Sequence, residues 1–140
     1  MNGETDLQTL LEKMEPELQM GEFVFCTMAP EVASDPEAAS KLCFSAIGQF
    51  IEPEGLTLIL AKSEAETKRL DFAYPCRMIT LKVHSSLEAV GFLAAVTDKL
   101  ARRGISVNAI SAYFHDHLFV PSERAEEAMN VLNDIVKGRA

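Results

Sequence analysis

The stretch SSLEAVGFLAAVTDKLARRGISVNAISAYFHDHLFVP, Ser85 to Pro121, decides the fold. Ser85 and Glu88 stand at capping-box spacing, where the hydroxyl and the carboxylate each satisfy a helix-start amide of the other residue. Behind them Ala89, Leu93, Val96 and Leu100 recur at helical spacing, with Val90, Ala94 and Thr97 beside that stripe. Arg103-Gly104 ends the helix, because glycine takes the left-handed conformation past a last turn at little cost. Ile105 to Tyr113 then reads as a strand, His115-Asp116 as a turn and His117 to Val120 as the returning strand. Ser122 caps a final helix buried through Ala125, Met129, Leu132 and Val136. Upstream, Arg77 to His84 alternates, with Ile79, Leu81 and Val83 on one face and Met78, Thr80, Lys82 and His84 on the other. A strand, a helix, a hairpin and a second helix are therefore expected from Arg77 onward.

The first half echoes that order in shortened form. Thr5-Asp6-Leu7-Gln8 opens a helix with Leu7, Leu10, Leu11 and Met14 on one face, stopped by Pro16. Glu22 to Met28 is a strand ended by Pro30, and Ser34 with Glu37 caps a short helix to Lys41. Cys43 to Ile51 and Leu56 to Ala61 form a hairpin turned by Glu52-Pro53-Glu54-Gly55, and Ser63 with Glu66 caps a helix to about Leu70. The junction Leu58-Ile59-Leu60-Ala61-Lys62-Ser63-Glu64 matches Leu118-Phe119-Val120-Pro121-Ser122-Glu123, each running from strand straight into helix. Recurrence of the whole order points to a duplicated unit. The organisation expected is an N-terminal helix over 1–20, one βαββα unit over 21–74 and a second over 75–140, with Pro75 as punctuation. Such units are α+β and ferredoxin-like, with helices on one face of a mixed or antiparallel sheet. Each repeat shows three strands where four are usual, and the strand Arg77 to His84 could join either sheet.

Charge and composition exclude several functions. A chain of 140 residues suits one compact domain or two small units sharing a core. The net charge is −8, from 13 basic and 21 acidic residues, which opposes nucleic-acid binding. Lys99, Arg102 and Arg103 cluster only where cations suit the end of a helix. No apolar run approaches the roughly 18 residues of a membrane span. Met1-Asn2-Gly3-Glu4 lacks the basic and apolar regions of a signal peptide, and three cysteines without a CxxC pair suggest reduced thiols in the cytoplasm.

No catalytic constellation or cofactor motif emerges, so a non-enzymatic protein is expected. The P-loop, G-x-S-x-G, HExxH and dinucleotide patterns are missing. His115-Asp116-His117 places two imidazoles on the same side of a strand and could in principle bind zinc, but Asp is an ordinary turn residue and no second Cys/His pair has metal spacing. Cys26, mid-strand, reads as buried filler.

Val90-Gly91-Phe92-Leu93 and Leu100-Ala101-Arg102-Arg103-Gly104-Ile105-Ser106-Val107 resemble the helix-to-strand core of ACT domains, which follow G-x-L/F…L-A-x-x-G-I-x-V. Asp116-His117-Leu118-Phe119-Val120-Pro121, Gly21-Glu22-Phe23-Val24-Phe25 and Pro53-Glu54-Gly55-Leu56-Thr57-Leu58 extend the likeness to small bacterial proteins of two ACT-like units. The resemblance implies a regulatory module that binds an amino acid or similar metabolite between paired units, near the loop from first strand to first helix, and that reports it to a protein partner. Here that loop comprises Ser85, Ser86, Leu87 and Glu88, with Val90 and Gly91 in the helix's first turn and Asn108 and Ile110 lining the strand side. The chain departs from the family in having Ser85-Ser86-Leu87 where Asp or Asn precedes Pro-Gly.

Independent physical reasons favour the same place. A helix start presents free amides that suit a carboxylate, Gly91 leaves room for a ligand or for tight packing, and Glu88 could take an ammonium group if it is not closing the capping box. A homodimer is expected, and the apolar strand Ile105 to Ala112 favours self-association if it forms a sheet edge. The alternative function is a structural or protein-interaction module with no retained ligand site.

Overall fold

The computed structural model describes residues 2–139. The chain runs α1 (Leu7–Lys13), β1 (Pro16–Leu18), β2 (Phe23–Met28), α2 (Pro30–Ala33), α3 (Pro36–Ser45), β3 (Gly48–Glu52), β4 (Gly55–Ala61) and α4 (Lys62–Thr67). It continues with β5 (Ala73–Leu81), α5 (Phe92–Arg102), β6 (Asn108–Ser111), β7 (Asp116–Pro121) and α6 (Ala125–Val136), the last entered through a 3-10 turn at Ser122–Arg124. Two compact units result: Gly21–Cys76, and the residues up to Met20 together with Arg77 onward.

In the unit Gly21–Cys76 the strand order is β3-β4-β2-β5. β2 and β4 are antiparallel, in register from Phe23 opposite Ala61 to Met28 opposite Leu56. Alternation buries Val24, Cys26 and Met28 of β2 against Leu56, Leu58 and Leu60 of β4 and Ala65 of α4. Leu42 and Cys43 of α3 cover this core. Two expectations need correction here. Cys43 belongs to α3, which runs to Ser45, so β3 starts only at Gly48. Pro75 ends nothing, because it lies inside β5 at a bulge: Phe23 faces Cys76 and Phe25 faces Ala73, so Tyr74 and Pro75 together oppose Val24. A bulge tolerates the missing proline N–H that a regular ladder would not.

In the other unit the order is β1-β5-β7-β6. β1 is antiparallel to the second part of β5, with Pro16, Glu17 and Leu18 opposite Leu81, Thr80 and Ile79. β6 and β7 form the hairpin from Asn108 opposite Phe119 to Ser111 opposite Asp116. The core joins Leu10 of α1 and Met14 just past its end, Ile79 and Leu81 of β5, Phe92, Val96 and Leu100 of α5, Leu118 and Val120 of β7, and Ala128, Val131 and Leu132 of α6. Burying each large side chain contributes about 1.5–3 kcal/mol, so α1 is part of this core and not an appendage to it.

The fourth strands that the sequence pattern lacks are both present. Ala73–Cys76 supplies one, and Pro16–Leu18, from the start of the chain, supplies the other. Each unit is thus a complete ferredoxin-like α+β sheet, and Arg77–Leu81 takes its place between β1 and β7.

The expected capping boxes do not form. Asp6 caps α1 by accepting from the Thr9 amide, and Asp35 caps α3 by accepting from the Glu37 amide. α4 begins after Ala61, which puts Ser63 inside its first turn, and α6 is entered through the 3-10 turn. α5 begins at Phe92 and not beside Ser85, because Gly91 at φ 88° turns the chain off a helical path just before it. Its end is as expected: Gly104 is left-handed and the Ile105 amide returns to the Leu100 carbonyl at 3.1 Å.

Candidate ligand site at the loop between β5 and α5

Since no capping box forms, Ser85 and Glu88 are not partners. The Ser85 hydroxyl donates to Asp116 Oδ2 at 2.9 Å, and both residues are buried, 7% and 5% exposed. A hydrogen bond to a charged group contributes about 1.5–3 kcal/mol, so this contact ties the loop to the hairpin β6–β7. Asp116 is therefore not in the turn: it opens β7, and the turn is Ala112 to His115, closed by the Ala112 amide on the His115 carbonyl at 3.0 Å. Strand β6 is correspondingly short, four residues in place of the expected nine from Ile105 to Tyr113.

Ser86 organises the rest of the loop. Its hydroxyl accepts from the Glu88 amide at 3.0 Å, and its carbonyl accepts from the Ala89 amide at 3.0 Å. The Glu88 carboxylate has no hydrogen-bond or ion-pair partner among the described residues. It faces a cavity of about 140 Å³ lined by Asn2, Gly3, His84, Ser86, Leu87, Glu88 and Tyr113. His84 stacks near Tyr113, ring centroids 6.5 Å apart at 29°, and tilts against Phe114 at 5.2 Å, so the hairpin tip forms an aromatic wall.

Of the residues expected to form the site, Ser86, Leu87 and Glu88 line this cavity together. Ser85 turns inward to Asp116. Val90 and Gly91 lie outside the lining; Gly91 is the N-cap of α5, with no side-chain cap for the first amides. Asn108 and Ile110 are exposed on β6 and also lie outside the lining. Sequence reasoning missed Asn2, Gly3 and Tyr113. Tyr113-Phe114, two large aromatics in a hairpin tip, was the available signal; nothing local marked Asn2 or Gly3.

His117 serves a different purpose. Gln19 Nε2 donates to Thr80 Oγ1 at 3.1 Å, and Thr80 Oγ1 lies 3.0 Å from His117 Nδ1. Burial lowers the His117 pKa, the neighbouring His115 lowers it further, and Asp116 partly offsets both. Among the described residues no three His, Cys, Asp or Glu side chains come together to hold a metal ion. Cys26 is buried, its thiol raised by that burial. Cys76 is pushed up to about 11 by burial and by the Glu22 carboxylate. Among the described residues no helix is long and apolar enough to cross a membrane.

A family model described as an ACT domain matches residues 2–77, and a second ACT domain model matches residues 73–134. The chain belongs to the ACT domain family. It carries two ACT domains in tandem, and the family is one of regulatory modules for small ligands. Among solved structures, this ACT protein is 42% identical to a protein of unknown function from Vibrio cholerae described as a possible transport protein, with a TM-score of 0.80 over 93% of this chain and 95% of that one. A protein from Agrobacterium tumefaciens shares the fold at 16% identity and a TM-score of 0.64, over 86% and 87% of the two chains. The regulatory subunit of aspartate kinase from Thermus flavus shares it at 12% identity and 0.61, over 86% and 95%. Among curated proteins, none matches the chain.

Proposed function

We propose that this ACT protein is a non-enzymatic sensor that binds an amino acid or similar small metabolite at the loop between β5 and α5 and passes the signal to a protein partner. The observation that carries the reading is the unpaired Glu88 carboxylate facing a cavity in the loop between β5 and α5, the loop to which the sequence resemblance assigns the ligand. α5 adds first-turn amides with no side-chain cap, which suit a carboxylate. An amino acid needs both charges complemented, and this loop and helix start offer both. In this reading Ser85 and Gly91 hold the backbone in shape while Ser86, Leu87, Glu88 and Val90 face the ligand. A second copy of the chain, in a homodimer, brings Asn108 and Ile110 to the facing wall. The three free thiols support a cytoplasmic location. Isothermal titration against every common L-amino acid tests the proposal: heat from one or a few supports it, and no heat from any, with folded protein, rejects it.

A second reading, a protein-interaction module, is favoured by strand β3. It is the outer strand of its sheet, and consecutive residues Phe50 and Ile51 are 72% and 85% exposed, so neither face of the strand is covered. An uncovered apolar edge is a template for association. Light scattering that gives a strict monomer at high concentration, without and with amino acids, counts against it.

A further inference from the structure

The N-terminal arm, Asn2 to Asp6, lies on the loop that the proposed function assigns to the ligand. The Glu4 amide donates to the His84 carbonyl at 2.8 Å and the Ser86 amide donates to the Glu4 carbonyl at 2.9 Å, a parallel β-bridge between Glu4 and Ser85. The contact is tight enough to dictate a residue type. A Cβ on Gly3 would stand 2.6 Å from the Ser85 carbonyl carbon and the Ser86 nitrogen, and 2.7 Å from the His84 oxygen. All three are backbone atoms, so no side chain fits there without moving the arm. The Glu4 carboxylate folds back onto the amides of Thr5 and Asp6, both at 3.0 Å. α1 and its C-cap then anchor the arm through fully buried Leu10 and Met14.

This arm closes one side of the 140 Å³ cavity with Asn2 and Gly3. That volume is small beside the roughly 300–1,000 Å³ of pockets that enclose a whole drug-sized ligand, so it suits a headgroup. Among the described residues no lysine or arginine lines it, Glu88 is its carboxylate, and the rings of Tyr113 and His84 form a wall. A carboxylate beside an aromatic face is chemistry for a cation. We propose that the arm is a structural part of the binding site: it roofs a subsite for a primary ammonium group, held by Glu88 against Tyr113, with Asn2 as the polar contact from the arm. This deepens the sensor reading and rests on it for the ligand class.

Ethylamine and propionate probe the two ends of an amino acid separately, with amide chemical shifts as the readout on the full chain. Ethylamine shifts the amides of Ser86, Glu88 and Tyr113, while propionate leaves them in place. Glu88→Gln, an exposed substitution, weakens the ethylamine response by about tenfold or more, the scale of a hydrogen bond to a charged group. Gly3→Val frees the Glu4 and Ser86 amides to hydrogen exchange and weakens the response similarly, while α5 and β7 amides stay protected. Propionate in place of ethylamine at these amides, an ethylamine response indifferent to both substitutions, or no response at all overturns the proposal. The sensor reading fails separately. Heat from an amino acid that survives Glu88→Gln and Gly3→Val leaves a sensor without this subsite, whereas ethylamine shifts with no heat from any amino acid leave the subsite without the sensor.

Discussion

At the scale of single residues, environment decides which polar groups are reactive. Cys76 is buried, its thiol lies 3.3 Å from the Phe23 carbonyl, and its pKa is pushed up to about 11. Cys26 is also buried and shifted upward, whereas Cys43 is only partly covered. Because the thiolate is the reactive form, iodoacetamide near neutral pH should label Cys43 first, with Cys26 and Cys76 labelled only after unfolding. Peptide mapping in which Cys76 reacts as fast as Cys43 would contradict the burial described.

His117 gives a pH dependence of definite sign. Its folded pKa lies below the ordinary 6.5, so between those two values the unfolded chain holds more protons than the folded one. Stability from this group is complete above 6.5 and falls as the pH drops towards the folded pKa. Urea midpoints of the wild type should therefore decline more steeply below pH 6.5 than those of His117→Gln; parallel slopes would show that the histidine is not held neutral.

At the scale of elements, legibility depended on whether the signal was local. The body of α5, its stop at Gly104 and the hairpin order were readable because apolar spacing and a left-handed glycine act within a few residues; its start at Phe92 was not. Capping boxes misled in the N-terminal half because Asp6 and Asp35, one residue along from the serine or threonine chosen, accept the helix-start amides instead. At Ser85 the competitor was distant: Asp116, 31 residues away, takes the hydroxyl. β1 was hidden because three residues carry no period and Pro16 reads as a helix stop. Of the candidate site, the loop was singled out by its resemblance to the family and its place between strand and helix. The arm was not, since a backbone bridge leaves no mark in side-chain pattern beyond one glycine.

At the scale of the whole molecule, the start of the chain completes the unit built from Arg77 onward. α1 and its C-cap contribute Leu10 and Met14 to that core, and β1 pairs with β5. Losing one such buried side chain costs about 2–5 kcal/mol, and a domain's total stability is only about 5–15 kcal/mol. Removal of residues 1–20 should therefore abolish cooperative unfolding of that unit and collapse the native shifts of Val96, Leu100 and Leu118; retention of those shifts would refute the shared core. The same segment begins with an arm whose Asn2 and Gly3 line the cavity beside the loop between β5 and α5, and continues into α1 and β1.

The most direct test of the site is a crystal structure with the amino acid that gives the largest heat. The account predicts its ammonium nitrogen within about 3 Å of a Glu88 carboxylate oxygen, under Asn2 and Gly3 and beside Tyr113. An amino acid bound elsewhere, with this cavity empty, would contradict it.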